Sequence, residues 1–318
     1  MDRYAAFFKS VDNVMNGLIR QKYIVDRRIS TTVFLSGRLG KPLLIEGPAG
    51  VGKTSLAGAV ASALGTELIR LQCYPGLDES KTIYEWNYHK QLLHIQMHGS
   101  EGDIFSTEFL LERPLLRAFQ STRPVVLLVD EIDKSEEELE SFLLEALSEF
   151  QVSIPELGRV RAKHKPYVVI TSNSARELSD ALKRRCLYLY LIYPDAAREE
   201  AILQLKVPGL CNNLAREIIN FVQKLRSKKL KKAPSITESI DWARTLLLLG
   251  ADVLDVKTVR ETLNVLLKYE EDIRQVDREI TTLIARGKTT GSREESKKEK
   301  PVGVQDRAVD PVLARFDF

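Results

Sequence analysis

Residues 47–54 impose the strongest constraint on how this chain can fold. They read Gly-Pro-Ala-Gly-Val-Gly-Lys-Thr, an apolar run at residues 42–46 precedes them, and a helical pattern at residues 53–64 follows. Between a strand and a helix, the glycines allow a tight turn in which successive backbone N–H groups face an anion. A glycine-rich turn that arose by chance would rarely have all eight positions and both flanking elements. The segment therefore predicts a phosphate-binding loop.

Short apolar runs alternate with helical patterns up to about residue 194. Runs at residues 42–46, 67–72, 125–129, 167–171 and 187–192 are rich in aliphatic and aromatic side chains, as strands buried on both faces are. A helix is predicted at residues 136–150, opened by a capping box of Ser135 and Glu138. A β-hairpin is predicted at residues 152–160, before the fourth strand. This alternation is typical of an α/β fold with a parallel five-stranded sheet flanked by helices.

The pattern changes after residue 194, where apolar residues recur at helical spacing. The 318 residues are enough for one large domain and a smaller one. From residue 287 the sequence is polar and rich in lysine and serine, as disordered linkers are. We predict an α/β nucleotide-binding domain at residues 1–194, a smaller all-α domain at 195–286, and a flexible C-terminal tail at 287–318.

The composition argues against several classes of protein. No apolar run approaches the roughly 20 residues of a membrane-spanning helix, and residues 1–8 lack the layout of a signal peptide. A formal net charge of +3 gives no reason to expect a nucleic-acid partner. Cys73, Cys186 and Cys211 are widely spaced, without the pattern of a zinc site. We expect a cytoplasmic protein with reduced thiols and no membrane span.

Asp130 and Glu131 extend the candidate site. They follow the third predicted strand, at the edge where parallel sheets bind ligands. Asp130 and the Thr54 hydroxyl are predicted to hold Mg²⁺, and Glu131 to orient and deprotonate the attacking water. The two carboxylates could instead cap the next helix, but Ser135 is better placed to do so. We assign the binding of ATP to Gly47, Pro48, Ala49, Gly50, Val51, Gly52, Lys53, Thr54 and Ser55, with Lys53 on the β- and γ-phosphates.

Asn173, Arg184 and Arg185 lie beside the fourth and fifth predicted strands. Asn173 could position water near the γ-phosphate, although asparagine is common in any turn. Arg184 and Arg185 could stabilise charge on a transferred phosphoryl group. Taken alone, they are better explained as a basic helix end that is favoured by the helix dipole.

These motifs, in this order, resemble those of AAA+ ATPases. The phosphate loop and the hairpin before the fourth strand are similar to the MoxR branch. Residues 71–78 (LQCYPGLD), 84–88 (YEWNY), 150–154 and 181–188 look like CoxD-type members, which are associated with the maturation of molybdenum-containing carbon monoxide dehydrogenases and related hydroxylases. The resemblance spans roughly residues 23–270.

The resemblance implies roles that spacing alone does not supply. Asn173 corresponds to sensor 1, and Arg185, helped by Arg184, to the arginine finger that acts on the ATP of a neighbouring subunit. A finger of this kind implies a homo-oligomeric ring, usually a hexamer. Ile24 and Val25 occupy the stretch that packs against adenine. The family often has a sensor 2 arginine after a proline, but here Ser235 follows Pro234, so sensor 2 stays unassigned.

Three functions remain open from the sequence. The first is an ATP-driven remodelling machine that acts on a client metalloenzyme or on its partner with a von Willebrand A domain. The second is an AAA+ nucleic-acid motor or loader, and the third a nucleotide-gated scaffold. Trp86, Tyr84 and Tyr88 could contact a client or simply pack on the sheet. A basic run at residues 224–232 is expected to be a solvated helix end.

Overall fold

A parallel sheet of five strands forms the centre of the first part of the chain. The computed structural model describes residues 3–98, 104–155 and 157–285. The strands in these residues are β1 (Leu43–Glu46), β2 (Leu68–Gln72), β3 (Tyr84–Trp86), β4 (Leu110–Glu112), β5 (Val126–Asp130), β6 (Gln151–Ile154), β7 (Gly158–Arg161), β8 (Tyr167–Ser172) and β9 (Leu187–Tyr190). The central sheet has the order β2-β5-β8-β1-β9 and is parallel throughout. The predicted five-stranded α/β fold is confirmed.

The same residues contain fourteen α-helices. They are α1 (Arg3–Phe7), α2 (Val11–Arg20), α3 (Arg27–Leu39), α4 (Lys53–Leu64), α5 (Glu79–Ile83), α6 (Tyr88–His98), α7 (Pro114–Gln120), α8 (Glu137–Glu149), α9 (Asp180–Arg185), α10 (Ala196–Lys206), α11 (Asn212–Arg226), α12 (Ile236–Leu248), α13 (Val256–Leu266) and α14 (Glu270–Ala285). None of these helices is long and apolar enough to cross a membrane.

Alternate side chains of β1, β5 and β8 enter two different cores. Leu43 and Ile45 pack with helices α1 to α4 on one face, whereas Leu44 packs with α7, α8 and α9 on the other. The side chains of Leu43, Leu44 and Ile45 are all fully buried. Burial on both faces explains why the strands are continuous apolar runs rather than alternating ones.

The helices from α10 onward pack around a core of their own. Its centre is Trp242, whose indole N–H donates to Thr262 Oγ1 at 2.8 Å. This all-α region follows the sheet, as expected. The boundary between residues 194 and 195 remains a prediction, and the predicted tail at 287–318 lies outside the described residues.

Two local features differ from the sequence analysis. The predicted capping box before α8 is wrong, because Glu136 occupies the N-cap and the Ser135 hydroxyl donates to the Ile132 carbonyl at 2.7 Å. Ser135 instead closes a short 3₁₀ turn, Ile132–Lys134, which delays the start of the helix. The antiparallel pair β3–β4, which encloses α6 after β2, was not predicted, whereas the β6–β7 hairpin was.

Candidate functional site

The phosphate loop joins β1 to α4 and depends on its glycines. Gly47 has φ +147°, and a Cβ atom there would overlap the carbonyl oxygen of Leu191. Gly52 has φ +96° and stands at the N-cap of α4, where it has no side chain to cap the first turn. The N–H groups at the start of α4 therefore face a place suited to an anion.

Lys53, the first residue of α4, lies almost buried at the centre of the site. Its ammonium donates to the Gly47 carbonyl at 2.6 Å, to the Pro48 carbonyl at 2.8 Å and to Asn173 Oδ1 at 2.7 Å. Burial lowers the pKa of Lys53, and nearby carboxylates, Asp133 first, oppose this effect. The structure thus brings Lys53 and Asn173 together, although 120 residues separate them.

Thr54, in the first turn of α4, lies beside Asp130, the last residue of β5. Thr54 Oγ1 is 3.1 Å from Asp130 Oδ1, and Asp130 is almost fully buried. Both groups are the oxygen ligands that Mg²⁺ prefers, so these residues are suited to hold that ion. Arg70 of β2 also contacts Asp130, at 2.5 Å, a partner that the sequence did not indicate.

Glu131 is held in a backbone conformation that few non-glycine residues adopt. Its φ is +59° and its backbone N–H donates to Thr171 Oγ1 at 3.0 Å. The carboxylate accepts from Gln72 Nε2 at 2.8 Å and from Asn173 Nδ2 at 3.1 Å, and it pairs with Lys134 at 2.7 Å. The hydrogen bond from Lys134 is the largest cause of a lowered pKa at Glu131. The carboxylate is therefore ionised at neutral pH and fixed in place, as a base that acts on water must be.

Asp133 is a buried residue of this site that the sequence analysis missed. Its carboxylate accepts the backbone N–H of Asn173 at 3.1 Å and that of Ala175 at 2.9 Å. It thereby ties the turn after β5 to the turn after β8. An acidic residue two positions beyond Glu131 was the available signal, but its role depends on β5 and β8 being neighbours.

A cavity of about 430 Å³ opens beside the phosphate loop, between the sheet and the all-α region. Ile24 lines it, but Val25 does not: Val25 packs against the core of α1 to α4. The assignment of Ile24 and Val25 to the adenine contact stays a prediction, which the cavity supports for Ile24. The predicted loop residues that line this cavity are Gly50, Val51, Gly52 and Ser55.

Arg184 and Arg185 are not brought to this site. They end α9, just before β9 starts, whereas the site lies where the parallel strands end. Arg185 Nη1 donates to the Leu144 carbonyl at 3.0 Å and to Ser148 Oγ at 2.9 Å. Both arginines border a separate cavity of about 420 Å³ at the opposite edge of the sheet.

Comparisons with known proteins agree with this geometry. Residues 42–186 match the family model described as AAA domain (dynein-related subfamily). The chain is 27% identical over 227 residues to the gas vesicle ATPase GvpN of Ancylobacter aquaticus, a match that covers 67% of this chain. It covers 63% of GvpN, so the chain spans less than two thirds of that relative's length.

Two further matches extend over more of the chain. An uncharacterized protein of Staphylococcus haemolyticus is 23% identical over 249 residues, which are 76% of this chain and 88% of that protein. The structure of a point mutant of RuvB from Thermotoga maritima has a TM-score of 0.50 at 18% identity, with 87% of this chain and 78% of that one covered. This likeness shows the fold. AAA domains generally bind ATP with Mg²⁺ and commonly form oligomers. The sheet order is that of the AAA+ fold, and residues 42–186 are similar to the AAA domains of the dynein-related subfamily.

Proposed function

We propose that this chain is an ATP-hydrolysing remodelling ATPase of the MoxR type that works as a ring on a client metalloenzyme. The observation that carries the proposal is a single hydrogen-bonded cluster at the carboxyl edge of the sheet. In it, Asn173 joins the lysine of the phosphate loop to the carboxylate of Glu131. Thr54 and Asp130 lie beside them.

Each residue of the cluster has a chemical task in hydrolysis. The N–H groups of the loop and Lys53 would bind the phosphates, for which Lys53 would exchange its present carbonyl partners. Thr54 and Asp130 would hold Mg²⁺, which supplies positive charge to the phosphate oxygens when bound. Glu131 would accept a proton from water, and Asn173 would orient that water.

The positions of Arg184 and Arg185 are the reason for proposing a ring. Residues that precede parallel strands lie at one edge of the sheet, and residues that follow them lie at the other. Arg185 therefore lies away from the phosphate loop of its own subunit, next to Leu144 and Ser148. If it acts on a phosphate, that phosphate belongs to another copy. Head-to-tail contacts of this kind form a ring when the rotation between subunits closes, and we propose a closed ring here. A hexamer is the expected size.

The client is proposed from the resemblance of residues 71–78 and 84–88 to CoxD-type proteins. In the structure residues 71–78 run from the end of β2 towards α5, and residues 84–88 form β3 and the start of α6. Tyr88, Leu92 and Met97 of α6 are strongly exposed, so the β3–α6–β4 insert has apolar surface to offer a partner. We propose that it contributes to contacts with a metalloenzyme under maturation or with a partner that has a von Willebrand A domain.

Replacement of Glu131 by glutamine tests the enzyme. The variant should bind ATP but hydrolyse it 10²- to 10⁴-fold more slowly, the usual effect of removing a general base. Glu137→Gln is the matched control, because Glu137 is an exposed acid in the first turn of α8. Equal hydrolysis by wild type and Glu131→Gln would refute an ATPase at this site.

The same variant tests the client. Held in the ATP-bound state, it should retain a metalloenzyme or a von Willebrand A partner in a pull-down, and the Lys53→Ala variant should not. Strong stimulation of hydrolysis by DNA, without such a partner, would favour the nucleic-acid motor instead.

Mixed rings test the shared site. Subunits with Arg185→Ala and subunits with Lys53→Ala are each inactive alone in this proposal, but mixing them creates some interfaces with both residues intact. Partial recovery of hydrolysis is expected. No recovery in proven mixed rings would contradict an arginine that acts on the neighbouring subunit.

A further inference from the structure

Arg226, near the end of α11, makes a buried ion pair that the candidate site does not explain. Its guanidinium donates to both carboxylate oxygens of Glu199 at 2.7 Å, and the two side chains are 9% and 0% exposed. Gln223 and Ser239 donate to the same carboxylate, at 2.9 and 3.2 Å. A buried pair of this kind contributes little to stability compared with apolar side chains of similar size, because desolvation offsets the attraction. The notable feature of the Arg226–Glu199 pair is therefore the set of segments that it connects, not its contribution to stability.

The remaining faces of Arg226 reach two segments outside its own helix. Its Nε donates to the carbonyl of Pro234 at 2.7 Å, one residue before the N-cap of α12. The central carbon of its guanidinium lies over the ring of Tyr193, 4.7 Å from the centroid. Tyr193 belongs to the connection between β9 and α10. One side chain thus joins α10, the start of α12 and the link from the sheet to the all-α region.

Both segments that Arg226 fixes contact the phosphate loop. The Tyr193 hydroxyl lies 3.4 Å from the carbonyl of Ala49. Ser235, next to Pro234, approaches Gly50 so closely that a Cβ atom on Gly50 would overlap its hydroxyl oxygen. Gly50 also lines the 430 Å³ cavity, together with Tyr193. The orientation of these segments therefore bears on the shape of the nucleotide pocket.

We propose that Arg226 is a positioning residue that aligns the all-α region on the phosphate loop, through Tyr193 and the Pro234–Ser235 turn, and so sets how tightly nucleotide is held. This inference rests on the proposed nucleotide site. A cation does not need to touch the phosphates for this purpose. The guanidinium acts by stacking and by hydrogen bonds that fix two loop contacts at once.

Three variants separate this role from simple stabilisation of the all-α region. Arg226→Lys retains the charge but loses the two-pronged geometry. Tyr193→Leu removes the ring without leaving a buried charge unpaired. Thr262→Val is the control: it removes the buried hydrogen bond from Trp242 inside the all-α core, and the other partners of the Thr262 hydroxyl are the Thr258 and Val259 carbonyls of its own helix.

The dissociation constant of ATP, measured on the full chain with a fluorescent analogue, is the first readout. The increase in melting temperature caused by a fixed excess of ATP is the second, since a ligand that binds only the folded state adds RT ln(1 + [L]/Kd) to the free energy of unfolding. We expect the dissociation constant to rise roughly tenfold in Arg226→Lys and Tyr193→Leu, within the usual range of coupling between sites. Thr262→Val should lower the melting temperature but leave the dissociation constant within twofold of wild type.

Each other result overturns a stated part of the proposal. Weakened binding in Thr262→Val equal to that in Arg226→Lys would show that only the stability of the all-α region matters. Weakened binding in Arg226→Lys but not in Tyr193→Leu would refute the route through Tyr193. Wild-type affinity in both refutes the inference while the proposed function stands, whereas a wild type that does not bind ATP refutes the proposed function itself.

Discussion

Asp133 should be essential for the placement of Asn173, because two hydrogen bonds to its carboxylate hold the turn after β8. Removal of the side chain in Asp133→Ala leaves the N–H groups of Asn173 and Ala175 without this acceptor. A hydrogen bond to a charged acceptor contributes about 1.5–3 kcal/mol. Ala175 is exposed, so its N–H can donate to water instead. The expected loss in the free energy of unfolding is therefore closer to that of one hydrogen bond than of two, roughly 2–3 kcal/mol.

The same substitution should impair hydrolysis by more than instability explains. Asn173 touches both Lys53 and Glu131, so a shift of its turn moves a contact of each. A misplacement of about 1 Å can lower a rate by roughly 10²-fold. We expect kcat to fall about 10- to 100-fold at a temperature where the variant is still folded, with a smaller change in KM.

Thermal unfolding and steady-state hydrolysis of Asp133→Ala and Asp133→Asn check this prediction. The asparagine keeps one acceptor oxygen and should lose roughly half as much stability. Asp241→Asn is the control, because Asp241 forms an exposed pair with Arg244 that contributes little. Wild-type kcat and melting temperature in Asp133→Ala would refute the view that this carboxylate positions the turn.

Three further predictions concern the phosphate loop, the general base Glu131 and the cavity beside the loop. Gly47→Ala should abolish nucleotide binding, measured by calorimetry, because the new methyl group meets a backbone carbonyl and φ is +147°. Lys134 lowers the pKa of Glu131, so Lys134→Ala should raise that pKa. Hydrolysis requires the ionised carboxylate and is lost as the pH falls through this pKa. The acid limb of the pH–rate profile should therefore move to higher pH. Ile24→Ala should weaken ATP binding several-fold, whereas Val25→Ala should instead lower the free energy of unfolding by roughly 1 kcal/mol; the opposite pattern would contradict their placement.

The parts of the site that sequence could predict are those set by neighbours along the chain. Residues 47–54, between a strand and a helix, are enough to predict the shape of the phosphate loop. Asp130 and Asn173 stand at the ends of parallel strands, so both are expected at the carboxyl edge of the sheet. Burial also explains why the three inner strands, β1, β5 and β8, could be identified from the sequence. Burial on both faces leaves apolar runs that no surface strand would need.

The residues that sequence reasoning missed act across the fold. Asp133 matters only because β8 lies beside β5, and its partners are 40 and 42 residues away. Arg226 was expected in a solvated basic run, since nothing near it in sequence reveals Glu199, 27 residues earlier, as a buried partner. Ser135 has the residue type of an N-cap, but the 3₁₀ turn before it uses its hydroxyl first. In each case a tertiary contact outweighs a local preference.

The contact between Ser235 and Gly50 bears on the missing arginine after Pro234. Gly50 accommodates the hydroxyl of Ser235 only because it has no Cβ atom, and α12 starts there with Ser235 hydrogen-bonded to Glu238. A long cationic side chain at position 235 would have to leave this contact in order to reach a phosphate. The all-α region therefore meets the loop by close approach of small groups. Arg226 of α11 and Tyr193 of the connection before α10 contact each other next to this approach. A change in the loop at Ala49 and Gly50 on binding phosphate would then pass to α12 through packing rather than through a charge on the phosphate.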